Sequence, residues 1–270
     1  MKYAIISDIH ANYDALKVVL DKCTELGVDN FICLGDIVGY NADPKICLKM
    51  VKELNLVGCV KGNHDEYASN NSDTMEGFNP HARKAVIWTK EQLSDEEREW
   101  LRERPMRQTI KNSNITIVHA TLDSPESWGY IFDVHHAADN FAYQFTQLCF
   151  CGHSHVPIAF CKKPITHSSE KPIIEVSEWA YKRNEGFMPR DATIMDNIAI
   201  EIRPGYKYLI NVGSVGQPRN NDPRASFAIY DRDAQKVTRF RIPYDIAAQQ
   251  AKIRAAGLPE RLALRLDTGS

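Results

Sequence analysis

The run "CFCGHSHVP", residues 149–157, sets Cys149, Cys151, His153 and His155 on every second position. All four side-chain types bind transition metals, so taken alone the run reads as a four-ligand zinc site. Four other segments carry the same class of side chain: "SDIH" with Asp8 and His10, "GD" with Asp36, "GNHD" with Asn63, His64 and Asp65, and "VHA" with His119. Each follows an apolar, β-prone run ("YAII", "FICL", "LVGCV", "ITIV"), just as "LCFC" precedes His153 and His155. Two aspartates, one asparagine and four histidines, with His64 besides, are too many donors for one divalent ion. They suit two ions sharing a bridging carboxylate. On this reading Cys149 and Cys151 are buried strand thiols beneath the metals, Gly152 turns the chain, and His153 and His155 go forward into the loop.

Donors so far apart in sequence meet only if the fold brings the strand ends to one edge. The first half has that pattern: short apolar runs alternate with "NYDALKVVLDKCTELG" and a helix over about 44–54, which predicts a parallel α/β sheet. In such sheets ligands bind beyond the C-terminal strand ends. Two further helices are predicted, one capped by Asn79 with Pro80 in its first turn, the other by a Ser94–Glu97 capping box. After Pro105 come short strands broken by turns, implying a second sheet against the first, and the tail from 247 reads as a broken amphipathic helix. Residues 163–200, His167 included, lack sustained periodicity and read as an insertion or flap. No linker or repeat divides the chain, so a single domain over 1–270 is expected.

A net charge of −2 offers no broad basic surface, which argues against nucleic acid as partner. No apolar run approaches a membrane span, and the N-terminal "MKYAIISDIH" lacks the apolar core of a signal peptide. Seven cysteines, mostly within apolar segments, then read as buried thiols of a reduced cytoplasmic protein. Asn12 is expected to cap the first helix, and His135 and His136 to face solvent. His81 is expected at most at the cleft rim, with Tyr40 and Tyr130 bordering the cleft.

The blocks "DIH", "GD", "GNHD", "VHA" and "GHSH" together resemble the signature of calcineurin-like metallophosphoesterases, and "INVGSVGQPRNNDPRASFAIYD" resembles the bacterial branch. The resemblance implies a four-layer α-β-β-α sandwich, two mixed sheets flanked by helices, with a dinuclear centre at one edge. Carried over, Asp8, His10 and His155 would hold one metal, Asn63, His119 and His153 the other, and Asp36 would bridge them. Such ligands suit manganese, iron, zinc, cobalt or nickel. The implied reaction is in-line attack on phosphorus by a metal-bridging hydroxide, with unliganded His64 serving the leaving oxygen.

One departure narrows the class. Serine/threonine phosphatases continue the second block as "GDxVDRG", whereas this chain reads "GDIVGYN", with Gly39 and Tyr40 at the Asp-Arg positions. Arg219 is a candidate replacement for the phosphate-gripping arginine. The expected substrate is a phosphate monoester on a small molecule, nucleotide or protein. The alternatives are a phosphodiesterase or nucleotide pyrophosphohydrolase with the same centre, and a non-catalytic scaffold on the same fold.

Overall fold

Alternation along the first strand, β1 (Lys2–Ile6), determines the layering: Ile5 faces one way, Ala4 and Ile6 the other, and all three are fully buried. A strand buried on both faces needs cover on both. The computed structural model describes residues 1–70, 78–165, 171–177 and 198–270. Within them β1 is followed by α1 (Tyr13–Glu25), β2 (Asn30–Cys33), α2 (Pro44–Glu53), β3 (Leu56–Cys59) and α3 (Asn63–Ser69). Then come α4 (Pro80–Gln92), α5 (Asp95–Arg102), the hairpin β4 (Arg107–Ile110) and β5 (Ile115–Val118), α6 (Val134–Tyr143) and β6 (Leu148–Cys151). The chain continues through β7 (Ile158–Lys162), β8 (Ile174–Val176), β9 (Ile198–Glu201), β10 (Lys207–Asn211), β11 (Ala225–Asp231) and β12 (Lys236–Ile242). It closes with α7 (Ile246–Ala255) and α8 (Glu260–Thr268).

The strands form two mixed six-stranded sheets, ordered β3-β2-β1-β11-β12-β9 and β4-β5-β6-β10-β7-β8. Ile5, Ile32, Leu34 and Val60 of the first pack on Ile117, Phe150 and Ile210 of the second, making the central layer of core. The opposite face of the first sheet (Ala4, Ile6, Cys33) is covered by Leu16 and Val19 of α1 and Leu48 and Val51 of α2. The outer face of the second (Val118, Cys149, Cys151, Leu209) lies under Ala137 and Phe141 of α6. This is the four-layer α-β-β-α sandwich.

The division of strands between sheets differs from the expectation that those after Pro105 make up the second sheet. β11 pairs antiparallel with β1, and β12 and β9 extend that sheet outward. Pairing partner is set by long-range packing, which strand composition does not encode. The predicted caps are present: Asn79 accepts from Ala82 N–H, and Ser94 and Glu97 bond each other's backbone. Most of the 163–200 stretch lies outside the described residues, His167 with it. Its ends include β8, which pairs with β7, and the start of β9, which pairs with β12.

Candidate metal centre

β1, β2 and β3 run parallel in one sheet, and β5, β6 and β10 run parallel in the other. Their C-terminal ends deliver Asp8 and His10, Asp36, Asn63 and His64, His119, and His153 and His155. All are buried. One oxygen or nitrogen from each of Asp8, His10, Asp36 and His155 lies within 4.8 Å of the others, as do those of Asp36, His119 and His153. Asp36 belongs to both groups. Its Oδ2 is 3.5 Å from His10 Nε2 and 3.4 Å from His119 Nε2, while Asp8 Oδ1 is 3.3 Å from His155 Nε2.

The backbone sets the tautomers. His10 Nδ1 faces the Val38 carbonyl at 3.2 Å, His119 Nδ1 that of Leu34 at 2.8 Å, and His155 Nδ1 that of Gln217 at 2.5 Å. His153 uses its other nitrogen, Nε2, on the Trp128 carbonyl at 2.9 Å. A carbonyl only accepts, so each of these nitrogens carries the proton and the remaining nitrogen offers a lone pair. His10 Nε2 and His155 Nε2 thus meet at 3.1 Å with lone pairs facing, an arrangement that a shared cation makes favourable. His119 Nε2 and Asn63 Oδ1 are buried without a hydrogen-bond partner, as ligand atoms would be. Donors of this kind, nitrogen and oxygen without thiolate, fit divalent transition metals.

The electrostatics agree. Burial pushes His10 and His155 well below the usual histidine range and His153 down to about 3, favouring the neutral rings that ligate metals. Burial alone would raise Asp36, but His119, His64 and His10 hold it below the usual carboxylate range. Burial would likewise lower His119, yet Asp36 and Asp8 facing it raise it to about 9. The two carboxylates draw positive charge into the pocket, proton or cation.

Asp8, His10, Asp36, His153 and His155 all sit at φ between +47° and +66°. Left-handed backbone costs a non-glycine residue roughly 1–2 kcal/mol and persists only where neighbours enforce it. Here Asp8 N–H donates to the Gly35 carbonyl and His10 N–H to that of Asp36, and Gly152 N–H binds the His119 carbonyl. Gly152 serves by close approach more than by turning: a Cβ there would meet Ser7 Oγ at 2.0 Å and Asp8 Oδ2 at 2.5 Å. Burial raises Cys149 and Cys151 out of the thiolate range, and neither is in a metal-capable group among the described residues.

His64 has no metal-ligand geometry of this kind. Its backbone N–H donates to Asp36 Oδ1 at 2.8 Å, and its ring packs among Tyr40, His10 and Phe78, with Nδ1 unpartnered. Burial lowers it to about 4. Arg219 is half-buried; its Nη2 donates to Tyr40 Oη at 3.1 Å and Gln217 Oε1 at 3.0 Å. The loop carrying it has a supporting role that the motif reading did not foresee. After β10, Ser214 Oγ and Gly216 N–H both donate to the Asp8 carbonyl, and the Gln217 carbonyl orients His155. The sequence marks this stretch by its resemblance and its glycine-rich turn, but not by the bonds it makes to Asp8 and His155. Asn12 caps α1 through Ala15 N–H, and His135 and His136 are exposed at the start of α6.

Residues 1–175 match the calcineurin-like phosphoesterase superfamily domain. The chain belongs to that superfamily. An uncharacterized protein of Methanocaldococcus jannaschii is 35% identical over 268 residues, spanning 98% of this chain and 97% of its own. The crystal structure of a metallophosphoesterase from Sphaerobacter thermophilus is 38% identical and superposes at TM-score 0.78, covering 100% of this chain and 99% of that one. A hypothetical protein from Pyrococcus horikoshii OT3, 19% identical, shares the fold at TM-score 0.75 over 100% and 98% of the two chains. In this calcineurin-like phosphoesterase the second block reads on through Gly39 and Tyr40, and both border His64. The His64 ring occupies the space beside Gly39, and Tyr40 packs on it at a tilt of 46°. No helix among the described residues is long and apolar enough to cross a membrane.

Proposed function

We propose that this phosphoesterase is a metal-dependent phosphatase of phosphate monoesters. Asp8, His10 and His155 would hold one ion, Asn63, His119 and His153 a second, with Asp36 bridging. The observation that supports this reading best is Asp36 Oδ2, placed almost equally far from His10 Nε2 and His119 Nε2. Bound there, the ions would polarise phosphoryl oxygens and bring a water's pKa to about 7. The chain's own residues do the rest. Backbone carbonyls hold the imidazoles in the ligating tautomer, and buried Asp8 and Asp36 fix the positive charge. Arg219 grips a phosphoryl oxygen from the rim. Neutral His64, unliganded beside Asp36, offers an N–H to the leaving oxygen. An alkoxide needs that help more than an activated aryl oxide does.

His64→Ala should therefore lower kcat on alkyl phosphates by about 100-fold or more, and on p-nitrophenyl phosphate by much less. Equal losses on the two substrates would remove His64 from the leaving-group role.

The diesterase or nucleotide pyrophosphohydrolase reading has one observation in its favour. Tyr130 stacks on His153 at 4.3 Å and on Phe132 at 5.3 Å, a half-exposed aromatic pair that suits a base or aryl group. Faster turnover of bis(p-nitrophenyl) phosphate or dinucleotides than of alkyl monophosphates, across manganese, zinc, cobalt and nickel, would decide for it.

A further inference from the structure

Beyond Tyr40 the site continues into a second cavity of about 520 Å³, lined by Arg219, Arg261, Arg265, His81 and Asn79 with Tyr40 as the shared wall. One end of the Tyr40 ring packs on His64 and His10, with centroids at 4.3 and 4.6 Å, while its hydroxyl accepts from Arg219. Arg219 and Arg265 stand over the same ring, their guanidinium carbons 5.5 and 5.9 Å from its centroid. Arg261 and Arg265 lie four residues apart on α8, one turn above the other on one face.

Three guanidinium groups around one cavity repel each other unless an anion joins them. Among the described residues, no aspartate or glutamate pairs with any of the three; Arg265 Nε donates to the Ser270 backbone oxygen at 2.6 Å, and its basic neighbours are Arg219 and Arg261. Burial, with Arg219 beside it, pushes Arg265 down to about 10, so the cluster is held against its own electrostatics. Arg219 Nε is buried without a partner. Elsewhere the fold supplies its arginines with carboxylates: Arg224 and Arg241 on Asp222, Arg254 on Glu260. Guanidinium forks match phosphate bidentately, and a small cavity with several such forks is a phosphate-recognition geometry.

We infer that this cavity takes a second phosphate group of the substrate, making the preferred substrate a small molecule with two phosphates. One would sit at the metal centre and the other against Arg261 and Arg265, with Arg219 at the shared Tyr40 wall between the two. The inference rests on the metal centre binding the first phosphate.

The test uses non-hydrolysable ligands on the full-length, metal-loaded protein: butylphosphonate, and α,ω-alkane diphosphonates with spacers of about two to eight methylenes, compared by calorimetry. At one spacer length the diphosphonate should bind at least about tenfold tighter than the monophosphonate. That advantage should fall to about twofold or less in Arg261→Glu, whose exposed position spares the core, and in Arg265→Gln. Equal binding of mono- and diphosphonates at every spacer length would overturn the inference, as would an advantage unchanged in both variants. An ω-carboxyalkylphosphonate binding as tightly as the diphosphonate would overturn the phosphate assignment. Failure of the monophosphonate to bind at all would instead count against the metal-centre reading, so the two failures are distinguishable.

Discussion

A methyl group added at Gly39 would lie 2.4 Å from His64 Nδ1, at a backbone φ of +92° that side chains rarely adopt. Where the serine/threonine phosphatases carry an aspartate in this block, the chain makes room for the histidine itself and orients it by packing against Tyr40 and Phe78. Gly39→Ala should therefore act through His64. Displacing the ring and straining the backbone would cost about 1–3 kcal/mol of stability. The rate on alkyl phosphates should fall nearly as far as in His64→Ala, with the metal content unchanged. Metal analysis beside kcat checks this, and loss of metal in step with rate would show that Gly39 supports the ligands and not the histidine. Most of the candidate ligands were legible because each motif sits directly after a β-prone run. Their left-handed backbone was not, since nothing in "DIH" or "HSH" distinguishes φ near +55° from an ordinary loop. Nor could the sequence show that Trp128 and Gln217 would lend the carbonyls that fix His153 and His155, because carbonyls are common to every residue.

At the scale of elements, β1, α1 and the loop after β10 are tied by one side chain. Asn12 Oδ1 accepts from Ala15 N–H at 3.1 Å as the cap of α1, and its Nδ2 donates to the Gly216 carbonyl at 2.9 Å in the loop that supports Asp8. The cap was readable from position; the second bond was not, because it spans more than two hundred residues. Loss of the cap costs about 1 kcal/mol, and an unpaired buried carbonyl about 1–3 kcal/mol more. Asn12→Ala should thus destabilise by roughly 2–4 kcal/mol in denaturant unfolding, and Asn12→Ser, which keeps a capping oxygen without adding charge, by less. A variant of full stability with an altered KM would instead make Asn12 a substrate contact. The same limit explains why β11 and β12 read as second-sheet strands. Their composition is that of any buried strand, and only the pairing of Tyr3 with Tyr230 and Ile5 with Ala228 assigns them to β1.

Across the whole molecule, the candidate centre is where the two sheets meet: Asp8, His10, Asp36 and Asn63 come from the first, and His119, His153 and His155 from the second. Bound ions would therefore link the layers as well as serve the reaction. Ions at about 100 times their dissociation constant add about 2.7 kcal/mol per site to the folded state. In a chain of this size each kcal/mol corresponds to about 2–4 °C. Chelation should then lower Tm by on the order of 10 °C, and manganese or zinc should restore it. Asp36→Asn removes the charge shared by both groups, so its Tm should respond weakly to either treatment. The measurement is thermal unfolding with parallel metal analysis. If Tm stayed within about 1 °C while the metal content fell to zero, the ions would not be holding the sheets together, and stability would rest on the shared apolar layer between Ile5, Ile32, Phe150 and Ile210 alone.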